Sequence, residues 1–544
     1  MKQLTLSTRL GLKPEVCSGL ILSGVFKPRS KGRGLAPSNV SKAIQVCGTG
    51  SGVGKSVIVT ALCRIFLQDG FKVCPFKAQN MALNSYVTKD GGEIGRAQAT
   101  QAQAAKIAPS VDMNPILIKP TSDRKAQIIV KGRPVRNMSV YEYVNYKKKA
   151  RNIVLKSFRR LAKEYELVVI EGAGSPAEVN LKSHDIVNMR MAKHANAFVV
   201  LVGDIDKGGV FAWIVGTLEL LTKEERKRIK GIIINKFRGD KRLLRPGVNF
   251  LEKKTGIKVL GIIPYFKDIK IAEEDSVPLE KLAVGISNSK IQKEGQLNIA
   301  VISLPHISNF TDFDVLENEP GVRLRYVSCE SELGCPDAII IPGTKSTVSD
   351  LNFLKKTGLA EKITLIAKNH PLIHLVGICG GYQMLGDRID DRRATESARR
   401  SVKGLGILPV VTSFEKEKIL SCVKAKDIVS GLKVTGYEIH HGRTRILKKC
   451  KPIFRIMERQ GKKVKGLDGA ISKDGRIWGT YFHGVFDEDN FRRSFLNKLR
   501  IKNGWLPLAM VTSFSQDKEF DKLAALVREN IDMDLLYKIA GIEP

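Results

Sequence analysis

"IQVCGTGSGVGKS", residues 44–56, decides the fold of the first half of this chain. Ile44, Val46 and Cys47 make a short apolar strand. A glycine loop follows, and a helix begins near Lys55. Gly48, Gly50, Gly52 and Gly54 let successive backbone N–H groups turn toward one point. The helix adds its positive end and Lys55 adds a full charge. Such a loop holds phosphate, and Ser56 stands where a hydroxyl ligates Mg²⁺. The strict pattern GxxxxGK[ST] requires glycine at position 49. This chain has Thr49 there, so its first glycine comes one residue early.

Working outward, residues 44–280 alternate short Val- and Ile-rich strands with helical stretches. The expected strands are 44–47, 167–170, 197–202, 231–234 and 259–263. Each is followed by Gly, Asp, Asn or Pro, which predicts a parallel sheet buried on both faces with functional loops at the strand ends. Residues 282–296 are polar and lack apolar periodicity. A second alternating block starts at "LNIAVISLP" (297–305), with strands at 338–341 and 372–377. From about 491 the chain reads as helices. The division is therefore a basic, acid-poor extension over 1–43, expected to be disordered; an ATP domain over 44–285; a linker over 286–296; a second α/β domain over 297–490; and a helical tail over 491–544.

With 544 residues, 43% of them hydrophobic, the chain has enough apolar material for several ordinary cores. No apolar run reaches the roughly 18 residues of a membrane span, and the mildly apolar 17–26 stretch is followed by "KPRSKGRG" without a cleavage site. No membrane association is expected. Nine cysteines are scattered with no CxxC, which favours a reducing cytoplasm over a disulfide framework or zinc site. The net charge of +35 points either to solvated surface or to an anionic partner. No recognition helix or aromatic-interleaved basic motif stands out, so a small anionic substrate is expected rather than nucleic acid.

Several residues of the first half are placed for phosphoryl chemistry. In "LVVIEGAGSPAE", Glu171 ends a strand and can hold Mg²⁺, with Glu178 nearby in a loop. In "IIINKFRGD", Asn235 is placed either to hydrogen-bond a purine edge or to cap a turn. In "PFKAQNMALNS" (75–85), Lys77 follows a short strand and can bridge a transferred phosphoryl group and the accepting carboxylate.

The second half carries "LIHLVGICGGYQML" (372–385), an apolar strand, Cys379, then a tight turn into a helix. This pattern is a nucleophile elbow in cysteine form. The helix start favours the thiolate, and Gly380 and Gly381 leave room for a substrate and supply N–H donors. A thiolate nucleophile requires a histidine. His483 in "IWGTYFHGVFD" is the first candidate, and His440 and His441 in "YEIHHG" compete. Gly343 in "IIIPGTKSTVSDL" can complete an oxyanion hole with Gly380.

Cys379 at an elbow, the "PGT" loop and the late histidine resemble the class I, cysteine-type glutamine amidotransferases. That resemblance implies a flavodoxin-like α/β domain. The usual glutamate two residues after the histidine is here Val485, and Glu438 and Asp487 are the nearest carboxylates to orient His483. Over residues 44–490 the chain resembles the cobyric acid synthase family, through "GTGSGVGKS", "PFKAQNMALNS", "EIGRAQATQA", "VGDIDKGGVFA", "LPHISNFTDFD", "GICGGYQML", "GYEIHHGRT" and "GTYFHGVFD". Its ATP domain is similar to dethiobiotin synthetase, whose loop also starts one glycine early. The resemblance implies ATP, Mg²⁺ and glutamine, and amidation of the b, d, e and g carboxylates of a corrinoid polycarboxylate. Thr49, Gly52, Gly54, Lys55 and Ser56 would then hold phosphate and Asn235 the base. Ser56, Glu171 and Glu93 would ligate the metal, and Lys77 would act on the acyl phosphate. Cys379 would be the nucleophile and His483 the base. Residues near Lys77 and the "IKPTSD" stretch (118–123) are candidates for the walls of an electropositive substrate cleft. The cobyrinic acid a,c-diamide synthase family is the alternative, but it carries an acid-bearing "FKxGPDYIDP" where this chain has "FKAQNMALNS". A ParA-like ATPase would bring a second loop lysine where this chain has Gly50, and would have no cysteine domain.

Overall fold

The computed structural model describes residues 41–122, 125–271, 295–397, 400–447, 450–509 and 515–543. Most of the N-terminal extension and nearly all of the expected linker lie outside the described residues.

The first sheet has six parallel strands: β1 (Lys42–Gly48), β2 (Val73–Phe76), β3 (Leu167–Glu171), β4 (Phe198–Asp204), β5 (Ile229–Phe237) and β6 (Val259–Pro264), in the order β6-β5-β4-β1-β3-β2. Ile44 of β1 pairs with Val169 on one side and Phe198 on the other. Both faces are buried, which is why these strands read as continuous Val and Ile runs. The chain order reverses at β1, and the phosphate loop leaves its C-terminal end. Ligands bind at such a switch point. Helix α1 (Lys55–Gln68) follows the loop, and the short helix α2 (Arg96–Ala104) packs beside it.

The second sheet contains β7 (Leu297–Ile302), β8 (Val322–Val327), β9 (Ala338–Ile341) and β10 (His374–Ile378). After a long antiparallel hairpin, β11 (Val410–Asp427) and β12 (Lys433–Ile446), it is completed by β13 (Ala470–Ile471) and β14 (Ile477–Thr480). Its order is β8-β7-β9-β10-β14-β13, parallel except for the β13 edge. Helix α3 (Gly380–Leu385) follows β10, and the two-residue strand β15 (Phe482–His483) pairs with β12.

Two features go beyond the sequence reading. The β11–β12 hairpin anchors a separate mixed sheet, antiparallel except where Arg388–Asp390 runs parallel to β11, and a four-stranded sheet is built from Gln79–Met81, Ile116–Ser122, Lys125–Val130 and Arg133–Ser139. The last two helices, α4 (Gln516–Asn530) and α5 (Met533–Ala540), return to the first sheet. Leu523, Val527 and Leu536 join its core, Arg64 of α1 meets Asp517 and Asp521, and Asp532 N–H donates to Leu260 O. None of the described helices is long and apolar enough to cross a membrane.

Candidate functional site

Gly54 adopts φ +97°, a backbone that only glycine takes without strain, and it caps α1 with its N–H groups open toward the loop. The Thr49 N–H donates to Val202 O of β4, which ties the loop to the sheet. Its hydroxyl is buried and has no protein partner. The Lys55 Nζ folds over the loop and donates to Gly50 O (2.7 Å) and Gly174 O (3.2 Å). Asn235 sits behind the loop and donates through Nδ2 to Val53 O at 2.9 Å. A Cβ on Gly54 would strike that amide. Lys236 also braces the loop, reaching Gly52 O and the Asp204 carboxylate.

Glu171 is the hub of this site and is fully buried, at 0% exposure. Its Oε1 accepts from Ser56 Oγ and from Lys77 Nζ, both at 2.8 Å. Its Oε2 accepts from Gln101 (2.6 Å) and Gln98 (3.2 Å) on α2. A buried carboxylate persists only when it is paired and hydrogen-bonded, and this one is both. The two glutamines were not singled out from the sequence, although "EIGRAQATQA" contains them. The hydroxyl of Ser56 and the carboxylate of Glu171 are hard oxygens in contact. They fit an Mg²⁺ that keeps waters and phosphate oxygens in its shell.

Glu93 does not fit that role. Its Oε1 is held by Lys119 (2.8 Å), with Ser85 Oγ at 3.0 Å, and its Oε2 by Lys418 (2.7 Å) from β11 of the second half. Burial opposes its charge, but the two ammonium groups outweigh burial and hold its carboxyl far below the usual range. Both oxygens are occupied by cations, which leaves Glu93 as a bridge between the halves rather than a metal ligand. Lys119, from the stretch expected to wall a cleft, is buried in this bridge.

The residues of the cysteine site all leave C-terminal strand ends of the second sheet. Cys379 follows β10 with φ +50° and ψ −104°, a strained backbone for a side chain, and is 6% exposed. Its N–H donates to Thr480 O of the neighbouring β14. Gly381 is required for packing, since a Cβ there would strike the Ile341 carbonyl oxygen. That close approach, rather than room for a substrate, explains this glycine. Gly343 lies against the His483 ring, and Gly380 against Thr344, so the "PGT" loop touches both sides of the elbow.

His483 is 1% exposed, and the Cys379 thiol donates to Ile439 O at 3.6 Å. Its Nδ1 meets Asp312 Oδ2 at 2.7 Å, and Gly484 N–H donates to Asp312 Oδ1 at 3.0 Å. Burial disfavours the charged ring, but the charges of Asp312 and Cys379 prevail and push His483 up to about 10. The Tyr437 ring stacks on the imidazole, 5.4 Å between centroids. The orienting carboxylate is therefore Asp312, from the loop after β7. Glu438 is instead held by a two-pronged Arg459 at 2.9 and 3.0 Å, and among the described residues Asp487 makes no hydrogen bond to His483. The competing histidines are engaged elsewhere: His440 with Gly442 O and His441 with Glu415 O. Burial, with Lys418 and Lys345 nearby, pushes His441 down to about 4.

The two halves meet between these sites. Ser85 N–H donates to Asn309 Oδ1 (2.9 Å), Phe310 N–H donates to Asn84 Oδ1 (3.3 Å), and the Tyr86 and Tyr437 rings lie 5.7 Å apart.

A family model described as "CobQ/CobB/MinD/ParA nucleotide binding domain" matches residues 44–279, and one described as "CobB/CobQ-like glutamine amidotransferase domain" matches residues 298–491. The chain thus joins a nucleotide-binding phosphate-loop domain to a glutamine amidotransferase domain of the cysteine class. At full length it is 51% identical over 508 residues to the cobyric acid synthase of Dehalococcoides mccartyi, covering 92% of this chain and 98% of that one. The cobyric acid synthase of Pelotomaculum thermopropionicum is 49% identical over 519 residues, 92% and 97% of the two chains. That of Caldanaerobacter subterraneus is 50% identical over 509 residues, 91% and 98%. This chain belongs to the cobyric acid synthase family. A solved glutamine amidotransferase matches 37% of the chain and 97% of its own length at 16% identity, with a TM-score of 0.29, too low to bear on the argument.

Proposed function

We propose that this chain uses ATP and glutamine to amidate the b, d, e and g carboxylates of adenosylcobyrinic acid a,c-diamide, in the cytoplasm. The observation that carries the reading is a cysteine–histidine–aspartate site and a phosphate loop with a buried Ser56–Glu171–Lys77 cluster, docked together in one chain. Its near-full-length likeness to cobyric acid synthases supports the substrate.

His483, oriented by Asp312, takes the Cys379 proton, and the thiolate attacks the side-chain amide carbon of glutamine. Backbone N–H groups of Gly343 and Gly380 steady the oxyanion. His483 returns the proton to the leaving ammonia, and water then releases glutamate from the thioester. In the other half, Thr49, Gly52, Gly54 and Lys55 hold the ATP phosphates. Asn235 braces the loop, whose shape fixes where the phosphates lie. Lys77 neutralises charge between the γ-phosphoryl group and the incoming carboxylate. Ser56 and Glu171 would hold Mg²⁺, which supplies further neutralisation of the phosphate oxygens. Carboxylate oxygen attacks the γ-phosphorus and ADP leaves. Ammonia then attacks the acyl carbon, and phosphate leaves.

Incubation with ATP, Mg²⁺, glutamine and either corrinoid acid, read by mass, tests this. Four successive exchanges of O for NH on the a,c-diamide support it. Amidation of cobyrinic acid at only two positions would assign the chain to the other branch.

A further inference from the structure

Glu171 and Glu93 are both fully buried, and they are held in different ways. Glu93 has an ammonium on each oxygen, from Lys119 and Lys418. At Glu171 the Lys77 ammonium and the Ser56 hydroxyl meet Oε1. Oε2 instead accepts from two neutral amides, Gln101 Nε2 at 2.6 Å and Gln98 Nε2 at 3.2 Å. A carboxylate oxygen offers about two lone-pair sites, so two donors fill it. A second ammonium at Oε2, as at Glu93, would oppose the arrival of any further cation. The amides add no charge.

These amides are themselves fixed. Both glutamines are fully buried and sit three residues apart on one face of α2. Gln98 Oε1 accepts from Asn80 Nδ2 at 2.9 Å, which turns its NH₂ group toward Glu171. Asn80 is buried too, and lies three residues after Lys77. Gly95, which caps α2, makes room for that pair: a Cβ there would strike Asn80 Nδ2 and Gln98 Oε1. Gln101 Oε1 is buried with no hydrogen-bond partner. An unpaired buried acceptor is unfavourable, so the orientation of Gln101 is set by what its NH₂ group holds.

We propose that Gln98 and Gln101 are positioning residues of the nucleotide site: they lock Glu171 Oε2 with neutral donors, so that the carboxylate meets a divalent cation through Oε1 only. A one-oxygen carboxylate suits Mg²⁺, which demands near-octahedral geometry. It suits Ca²⁺ less, because Ca²⁺ takes larger shells and two-oxygen carboxylates. The two glutamines thus set metal selectivity as well as affinity. This rests on the reading of Ser56 and Glu171 as the metal site.

The test uses the full chain and reads binding rather than turnover. A non-hydrolysable ATP analogue is titrated calorimetrically in saturating Mg²⁺, in saturating Ca²⁺ and with both metals chelated. Wild type should bind it more tightly with Mg²⁺ than with Ca²⁺. Q98M/Q101M keeps the side-chain volume close and removes both donors. It should weaken binding with Mg²⁺ about 10- to 100-fold, the range for losing partners that orient metal ligands. Binding with Ca²⁺ should weaken less, so the preference for Mg²⁺ falls. Q101K still donates to Oε2 but brings a charge, and should lose Mg²⁺-dependent binding at least as far as the double variant. A wild type without the preference, or a preference unchanged in Q98M/Q101M, overturns the proposal. So does a Q101K protein that binds with Mg²⁺ as wild type does, since a purely structural role for the donor allows that result. If either variant does not fold, Q98M and Q101M singly decide it, because each must lower the preference. An Mg²⁺ effect that is absent from wild type, or kept in full by E171Q, would instead sink the underlying reading of the metal site.

Discussion

Replacing Asp312 by asparagine keeps the shape of the side chain and removes the charge that His483 Nδ1 faces at 2.7 Å. The rise of His483 from 6.5 to about 10 corresponds to roughly 5 kcal/mol at about 1.4 kcal/mol per pH unit. Asp312 supplies the largest favourable part of it, working against burial, with Cys379 next. In D312N burial acts with little opposition, so His483 falls to its ordinary value or below and is a weaker acceptor for the Cys379 proton. The asparagine can also donate to Nδ1, which places the ring proton on the wrong nitrogen for a base facing Cys379. Together these should lower kcat for glutamate release by about 10³-fold, within the range known for a lost orienting carboxylate. Ammonia-dependent synthesis should be unchanged within a few-fold and serves as the internal control. The linked stability effect has a definite sign. A histidine raised by folding stabilises fully below its unfolded value and loses that contribution as pH rises through the folded one. The Tm of wild type should therefore fall relative to D312N between pH 6.5 and about 10. D312N that releases glutamate within threefold of wild type would refute the assignment of Asp312.

Cys379→Ala and His483→Ala should abolish glutamine-dependent amidation and leave ammonia-dependent amidation largely intact; equal loss of both would show that the thiol is not the glutaminase nucleophile. Lys55→Ala should remove amidation with either nitrogen source, a loss of several kcal/mol in transition-state stabilisation, and retained ammonia-dependent synthesis would sink that role. Raising salt shortens the Debye length, to about 8 Å at physiological strength. It should raise the Michaelis constant for the polycarboxylate diamide more than for the later, more amidated intermediates. A flat salt response across the series would mean that the +35 charge is solvated surface.

The two chemical loops were legible in the sequence because each is a local pattern: strand, glycines, reactive residue, helix. The parallel strands were legible because burial on both faces leaves unbroken Val and Ile runs. The β11–β12 hairpin was not. Its strands carry lysines and glutamates on a half-exposed face, as in "FEKEKILSCVKAKD", and such alternation looks like loop. Asp312 could not be paired with His483, because 171 residues separate them and only the fold brings the 3₁₀ turn after β7 to the segment after β14. The "LPHISNFTDFD" motif was noticed, but nothing in it says which acid faces a histidine. Glu93 failed for the opposite reason. Its motif placed it near the phosphate site, but the two lysines that claim it come from positions 119 and 418. The tail read as helical from its periodicity, yet its docking on α1 is a tertiary fact with no local signature.

Helix α2 shows why composition alone undersold this chain. "RAQATQAQA" looks like a polar surface helix, but seven of its nine residues are buried. Alanines at 97, 99, 102 and 104 let it enter a tight space with little side-chain entropy to lose. Gln98 and Gln101 are three residues apart, hence on one face, and both end on Glu171. A buried amide is tolerable only with such a partner, because leaving it unpaired costs about 1–3 kcal/mol. Arg96 at the other end donates its backbone N–H to Asn84 O, and the Asn84 side chain accepts from Phe310 N–H of the second half. An apolar helix in this place would pack as well, but it would leave Glu171 Oε2 without its two amide donors. The polar positions of α2 are thus set by the buried carboxylate that its two glutamines hold.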